Sequence, residues 1–201
     1  MKKLQVCLVA FLACGFFAKA QETEESKDAK EEILDYYDAT ADDLKESLDG
    51  LSEMQVDYKP VDSVWSALEV VEHIILTEAM MFQTMQETFA GPEAEDAADA
   101  QLEDEQVISM VTSREKKVKT FPALEPTDKY ASIDEAWEAF EDQREDIKDY
   151  IKDADLDFRN YVFEMPFGKL DGFQMLEFAA GHTARHTAQI EDLKASEEFP
   201  Q

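Results

Sequence analysis

Long runs in which apolar residues recur at helical spacing are the feature that most limits how this chain can fold. Between residues 31 and 51, apolar side chains return every three or four positions, which places them on one face of a helix. The stretches 66–90, 132–151 and 171–190 show the same spacing, and no segment is rich in the alternating pattern of strands. The sequence therefore predicts an all-α domain, a four-helix bundle with long connections.

Short capping motifs mark where the later helices begin. "SALE", from Ser66 to Glu69, has capping-box form, although Ser63 is an equally good start for the second helix. "SIDE" (132–135) and "DGFQ" (171–174) open the third and the last helix in the same way. The sequence therefore gives three helix starts that rest on local side chain to backbone hydrogen bonds.

The connection between the second and third helices is unusually long. After Gly91 and Pro92 the chain reads "PEAEDAADAQ", an acidic low-complexity stretch that predicts a loop. A short extra helix is expected from Glu105 to Lys119, before Pro122 and Pro126. The segment "RNYVFEMPFGKL" (159–170) predicts a loop or a short extended stretch ahead of the last helix.

The first twenty residues have the form of an export signal. "MKK" is followed by the apolar run "LQVCLVAFLACGFFA" and by the small-residue cleavage site "AKA", and the run is too short to span a membrane. Cleavage after Ala20 predicts a secreted or periplasmic protein with a disordered acidic leader at residues 21–30 and a bundle domain at residues 31–196. A lipid anchor on Cys14 is the alternative.

Composition excludes several classes of function. Both cysteines, Cys7 and Cys14, lie in the predicted signal, so the mature chain would have no disulfide, thiolate metal site or cysteine nucleophile. The net charge is −28, from 19 basic and 47 acidic residues, which repels phosphate backbones and anionic lipids. We therefore expect neither nucleic acid binding nor membrane insertion after signal cleavage.

The three histidines are the residues that point to chemistry. His182 and His186 stand four residues apart, so their rings lie on one helical face, and His73 lies in the apolar stripe of the second helix. Spacing alone leaves a metal site and three buried core histidines as alternatives. A zinc protease is excluded because Thr183 follows His182 where that motif needs glutamate. A di-iron bundle is excluded because no acidic residue stands three positions before any histidine.

Two longer stretches around these histidines resemble a known family. "VWSALEVVEHIILTE" (64–78) and "MPFGKLDGFQMLEFAAGHTARHTAQI" (165–190) are similar to the W-S-x-x-E-x-x-x-H, P-x-x-G and H-x-x-R-H-x-x-Q-I motifs of the DinB/YfiT-like metal-binding superfamily. The resemblance implies a four-helix bundle in which His73, His182 and His186 hold a divalent ion. Nickel or zinc is the first expectation, with iron or manganese as alternatives.

The resemblance also implies a reaction on a small molecule, as a metal-dependent thiol transferase or a hydrolase. Glu69 is a candidate to orient a histidine ring or accept a proton, with a helix cap as the alternative. Gln189 is a candidate to hydrogen-bond a ligand or a neighbouring helix, and Arg185 to neutralise an acidic substrate or pair with a carboxylate. The competing class is a non-catalytic metal-binding or stress-related bundle that forms a homodimer through a helix face.

Overall fold

The computed structural model describes residues 24–95, 102–116 and 119–201. In these residues four long helices form the bundle: α1 (Glu24–Leu48), α3 (Ala67–Phe89), α5 (Ile133–Asp153) and α6 (Gly172–Lys194). Two short helices, α2 (Glu53–Val56) and α4 (Asp104–Thr112), lie in the connections, and β1 (Val162–Met165) pairs with β2 (Gly168–Asp171) just before α6. The four-helix fold predicted from the sequence is confirmed.

The three predicted helix starts are found at the residues that carry the capping motifs. Ser66 caps α3, because its hydroxyl accepts from the Glu69 N–H at 3.3 Å while Glu69 accepts from the Ser66 N–H at 2.7 Å. Asp171 and Gln174 cap α6 reciprocally in the same way. Ser132 caps α5, but the carboxylate of Glu135 turns back to the Ala131 N–H instead. Local hydrogen bonding therefore fixes where each of these helices begins.

The first helix differs from its prediction at both ends. It begins at Glu24 rather than near Glu31, so residues 24–30 of the predicted disordered leader are helical. Ala29 packs against the core, and buried Lys30 donates to the carbonyl of Ala154, so tertiary contacts stabilise a polar sequence. The helix ends at Leu48 because Gly50 takes a left-handed conformation, with φ of 72°.

The connections also differ in detail. The extra helix α4 ends at Thr112, seven residues before the predicted end at Lys119. The segment around Met165 forms an antiparallel hairpin in which Val162 faces Asp171 and Met165 faces Gly168, so it takes the extended form that the sequence left open. The hairpin leads directly into the capping residue Asp171, and it therefore sets where α6 starts.

Helix α6 lies at the centre of the packing. It contacts α1, α3 and α4, while α5 packs against α3 and α1. One core cluster surrounds Tyr37, Met85 and Leu176, and a second surrounds Leu44, Ile74 and Ile190 near the opposite end of α6. Such contiguous apolar burial is the main free-energy term that holds helices together.

Several predictions fall on residues outside the described part. The export signal (1–20), its cleavage site, the alternative anchor at Cys14 and most of the acidic loop (96–101) lie there and stay predictions. Within the described residues, no helix combines the length and apolar character needed to cross a membrane.

Candidate metal centre

His73 is held on α3 in a defined orientation. Its ring is buried, and Nδ1 lies 2.8 Å from the carbonyl oxygen of Leu124, in a short 3-10 turn at residues 122–124. Because a carbonyl can only accept, Nδ1 carries the proton and Nε2 keeps its lone pair free. Trp65 packs against the other side of the ring, with centroids 4.8 Å apart. The ring is therefore oriented with a free ligand atom.

His186 is oriented by a residue one turn further along α6. Its Nδ1 lies 3.0 Å from Oε1 of Gln189, and the same oxygen accepts from Nη1 of Arg114 at 3.4 Å. A guanidinium only donates, so Arg114 identifies the Gln189 atom as an acceptor and His186 Nδ1 as the donor. Nε2 of His186 is again the free nitrogen, and it lies 3.2 Å from Nε2 of His182.

The three rings converge on one point. One ligand atom of each of His73, His182 and His186 lies within 4.8 Å of the other two. Two nitrogens bound to one tetrahedral zinc ion are about 3.3 Å apart, so small ring rotations would complete the geometry. No carboxylate or further histidine in the described residues joins the group. Three imidazoles around an ion leave at least one coordination position for water or substrate.

Burial keeps these rings in the form that binds metal. It lowers the pKa of all three rings, and the neighbouring histidines also lower the pKa of His182 and His186. Together these effects lower the pKa of His186 to about 3. Neutral imidazole is the ligand form, so no proton has to leave at neutral pH. The donor set, its tautomers and its protonation state all fit a divalent ion.

The three residues predicted to act beside the histidines have different surroundings. Glu69 does not contact a histidine ring: one oxygen caps α3 and the other accepts from Lys59 at 2.8 Å, so the helix-cap alternative is the one the structure shows. Gln189 contacts His186 directly, as described above. Arg185 donates to the carbonyl of Lys116 at 2.9 Å, rather than to the expected carboxylate.

Sequence reasoning missed the loop that orients His73. Glu72, fully buried beside His73, accepts from the backbone N–H groups of Thr127 and Lys129 and from the Thr127 hydroxyl. These bonds fasten the loop that carries the Leu124 carbonyl onto α3. The signal for Glu72 was a carboxylate inside an apolar stripe, whereas a backbone acceptor at residue 124 leaves no mark in the sequence.

A buried ionic network next to the histidines was also missed. Arg144 on α5 donates from Nε and Nη2 to the carboxylate of Glu78 on α3, and from Nη2 to the hydroxyl of Thr183 at 2.7 Å. Its Nη1 donates to the Tyr37 carbonyl on α1. Thr183 follows His182 directly, so the network joins all four long helices at the level of the three histidines. Arg144 stands at helical spacing among apolar residues, which was the available signal.

Two cavities lie elsewhere on the molecule. One of about 320 Å³ is lined by residues of the α2–α3 connection and the start of α3, including Glu69 and Glu72. The other, of about 340 Å³, lies between α1 and α5 beside Trp137 and Arg144. Neither is lined by a histidine.

Comparison with known proteins agrees with the fold. One solved structure, YfiT from Bacillus subtilis, described as a probable metal-dependent hydrolase with an unusual four-helix bundle topology, superposes with a TM-score of 0.56 at 14% identity. The match covers 84% of this chain and 87% of that chain, and at this identity it shows the fold alone. No functionally curated protein has a significant sequence match. The family model of the DinB superfamily matches residues 29–190, a range that contains all three histidines, and the chain therefore belongs to the DinB superfamily.

Proposed function

We propose that this protein is a metal-dependent hydrolase that acts on a small molecule, with a divalent ion held by His73, His182 and His186. The observation that carries the proposal is the convergence of three neutral rings, two of which, His73 and His186, have their Nδ1–H groups bonded to Leu124 and Gln189. The description of the structurally similar YfiT as a probable metal-dependent hydrolase supports it.

Different residues of the chain would bind the ion, orient the histidine rings and hold the helices in place. A divalent ion held by the three imidazoles would lower the pKa of a bound water and so supply a nucleophile for hydrolysis at neutral pH. His73 and His186 offer Nε2 because Leu124 and Gln189 hold their Nδ1–H groups, and His182 completes the set. The buried Glu78–Arg144–Thr183 network fixes α6 against its neighbours, which limits how far the ligand atoms can move apart.

The identity of the ion and the reaction class follow from donor chemistry and location. Nitrogen-only sites suit nickel and zinc better than manganese, and iron is the remaining alternative. The predicted export places the mature protein outside the cytoplasm, where low-molecular-weight thiols are scarce. This location favours hydrolysis by a metal-bound water over the thiol transfer that the family resemblance also implies.

A non-catalytic metal-binding bundle is the second candidate. It is favoured by the surroundings of Glu69, the candidate proton acceptor, which caps α3 and pairs with Lys59 and has no contact with a histidine ring. Hydrolysis by a metal-bound water is usually assisted by a general base within hydrogen-bond reach of that water. The two candidates share the metal site and differ in turnover.

Metal analysis of the purified mature protein tests the common part. We expect about one divalent ion per chain in the wild type and a loss to near zero in His182→Ala, because a two-imidazole site binds weakly. Gln83→Ala, an exposed change on α3, is the control and should keep its metal. Equal metal content in the wild type and His182→Ala would contradict the site.

Turnover then separates the two candidates. The metal-loaded and the chelator-treated protein are assayed against a panel of activated esters, amides and phosphate esters. Hydrolysis that requires the ion, and that His182→Ala abolishes, supports the enzyme. Stoichiometric metal without any metal-dependent hydrolysis across the panel would support the non-catalytic bundle.

A further inference from the structure

Positive charge is concentrated in one segment of this acidic chain. Residues 114–119, "REKKVK", contain four of the 19 basic residues and one acidic residue, in a chain with a net charge of −28. No other part of the sequence concentrates positive charge this strongly. The segment follows α4, and its first residues, Arg114 to Lys116, lie against α6.

Two arginines from this region lie beside the metal centre. Arg114 donates from Nη1 to Gln189 and from Nε to Asp192, at 3.4 and 3.0 Å. Arg185 donates from Nη2 to the carbonyl of Lys116, only two residues from Arg114. Positions 185, 189 and 192 share one face of α6, and this face adjoins the one that carries His182. Arg114 thus joins the segment to α6, and Arg185 joins α6 to the segment, at the edge of the histidine cluster.

The charge of Arg185 is uncompensated among the described residues. Its hydrogen bond goes to a backbone carbonyl, although the chain has 47 acidic residues to offer. Arg114 has one acidic partner, Asp192, whose side chain is 70% exposed. Arg114 shares Gln189 with His186, and Arg185 is bonded to Lys116, two positions from Arg114, so both positive charges lie in one neighbourhood of the histidine cluster. Such an arrangement is stabilised when an anion lies between the two groups.

We propose that Arg114 and Arg185 form an anion-binding wall beside the metal centre, so that the substrate of the hydrolase proposed above carries an oxyanion group, a carboxylate or a phosphate. The statement that the anion is part of a substrate rests on the proposed function. Binding of an anion by the wall depends only on the two guanidiniums. Each guanidinium has N–H groups left over after the contacts described, and a planar fork matches carboxylate and phosphate oxygens.

The surrounding charge makes such a wall selective. An acidic surface repels anions from most of the molecule, and the two arginines with a divalent ion would make the histidine cluster the attractive point. An anionic group bound by the two arginines would lie beside the histidine cluster, so it would hold a neighbouring ester or amide bond close to an ion at the three histidines.

Calorimetric titration of inorganic phosphate into the chelator-treated full-length mature chain tests the wall directly. We expect Arg114→Gln and Arg185→Gln each to weaken phosphate binding about tenfold, as the loss of a charge-assisted hydrogen bond would. Lys152→Gln removes an exposed cation on α5 and should leave affinity within about twofold. No measurable phosphate binding by the wild type, or an equal loss in Lys152→Gln, would overturn the proposal.

Further measurements identify which oxyanion the wall prefers and detect any variant that fails to fold. Acetate in place of phosphate shows which oxyanion the wall prefers, and both preferences support it as long as they depend on the arginines. Arg185→Lys keeps the charge and is expected to retain part of the affinity. Circular dichroism and the melting temperature are recorded for every variant, and the lysine variant replaces Arg185→Gln in the comparison if the latter is unfolded.

His182→Ala distinguishes failure of this inference from failure of the proposed function. In that variant the metal is expected to be lost, while phosphate still binds the chelator-treated chain through the two arginines. Stoichiometric metal in the wild type, together with unchanged phosphate affinity in both arginine variants, would overturn the wall and leave the metal centre standing. Absence of metal in the wild type, together with phosphate binding that depends on the arginines, would overturn the metal centre and leave the wall standing.

Discussion

Glu177 carries an unusual protonation state for a carboxyl group. It lies on α6 with 4% exposure, and its Oε2 has no hydrogen-bond partner among the described residues. Burial, together with the charges of Asp104, Glu32 and Asp171, raises its pKa to about 8, although Arg159 works against this shift. The side chain is therefore a neutral acid at neutral pH, which is less costly to bury than a carboxylate.

The first prediction at this scale follows from that proton. Folded Glu177 keeps a proton that the unfolded chain releases near its ordinary pKa of 4.5, so rising pH favours unfolding up to about pH 8. Glu177→Gln has no such proton. The difference between its free energy of unfolding and that of the wild type should therefore increase in favour of the variant by about 1.4 kcal/mol per pH unit across that window. Urea unfolding from about pH 5 to pH 9 measures the difference.

The exposed Glu141→Gln serves as the control, and its difference from the wild type should stay nearly constant with pH. A constant difference for Glu177→Gln as well would show that its carboxyl is ionised in the folded protein.

Arg144 gives the second prediction. Its guanidinium and the Glu78 carboxylate are 4% and 1% exposed, so removing one partner leaves a buried charge without compensation. Arg144→Ala should lower the free energy of unfolding by about 3–5 kcal/mol. The double variant Arg144→Met with Glu78→Leu should recover much of that loss, because no buried charge remains. Denaturant titration of the single and double variants checks both; equal loss in the two would mean that the ionic pair itself is not the source.

At the scale of the elements, α4 packs on α6 through a glycine. A Cβ added at Gly181 would lie 2.5 Å from Cγ1 of Val111 and 3.2 Å from the Tyr36 hydroxyl. Alanine normally stabilises a helix by about 1 kcal/mol over glycine, but overpacking of this kind costs about 1–3 kcal/mol. The close approach is therefore what the glycine provides.

The third prediction is that the effect of Gly181→Ala on the melting temperature has opposite signs in two backgrounds. Gly181→Ala should lower the melting temperature in the wild type and raise it in the background Val111→Ala, where the clashing methyl is absent. Differential scanning calorimetry of the four proteins tests this. A melting temperature that rises in both backgrounds would mean that α4 does not lie this close to α6 in solution.

The helix boundaries show which features of the fold can be predicted from the sequence. The starts of α3, α5 and α6 follow from capping motifs, because those hydrogen bonds are local. The start of α1 was wrong by seven residues, since its polar first turns are stabilised by contacts with the end of α5. Periodicity describes a helix face and contains nothing about which distant segment covers it.

The same limit applies to the candidate site. Helical spacing put His182 and His186 on one face and His73 in the core stripe, so their approach could be expected from a bundle. The Leu124 carbonyl that orients His73 and the contact between Arg185 and Lys116 join residues 51 and 69 positions apart. Such pairings depend on the assembled fold. Metal binding itself stays a prediction.

The charge of the whole molecule opposes its own fold. The net charge of −28 is spread over the entire chain, and most described ion pairs, such as Lys45–Glu141 and Lys152–Asp149, are exposed. Exposed pairs contribute little, whereas mutual repulsion of many carboxylates acts over the whole surface at low ionic strength. We therefore expect the repulsion between carboxylates to affect the free energy of unfolding more than the exposed ion pairs do.

The fourth prediction is that salt stabilises this protein. Raising NaCl from about 20 mM to about 0.5 M shortens the screening length from roughly 20 Å to roughly 4 Å, which removes repulsion between distant carboxylates before it weakens contact pairs. We expect the melting temperature of the metal-free chain to rise by about 3–6 °C. Replacing the exposed Asp43 and Glu46 of α1 by lysine makes the net charge less negative by four units and should reduce the salt effect. A melting temperature that falls with salt would show instead that the surface ion pairs outweigh the repulsion, and the same result would weaken the view that the acidic surface directs anions toward Arg114 and Arg185.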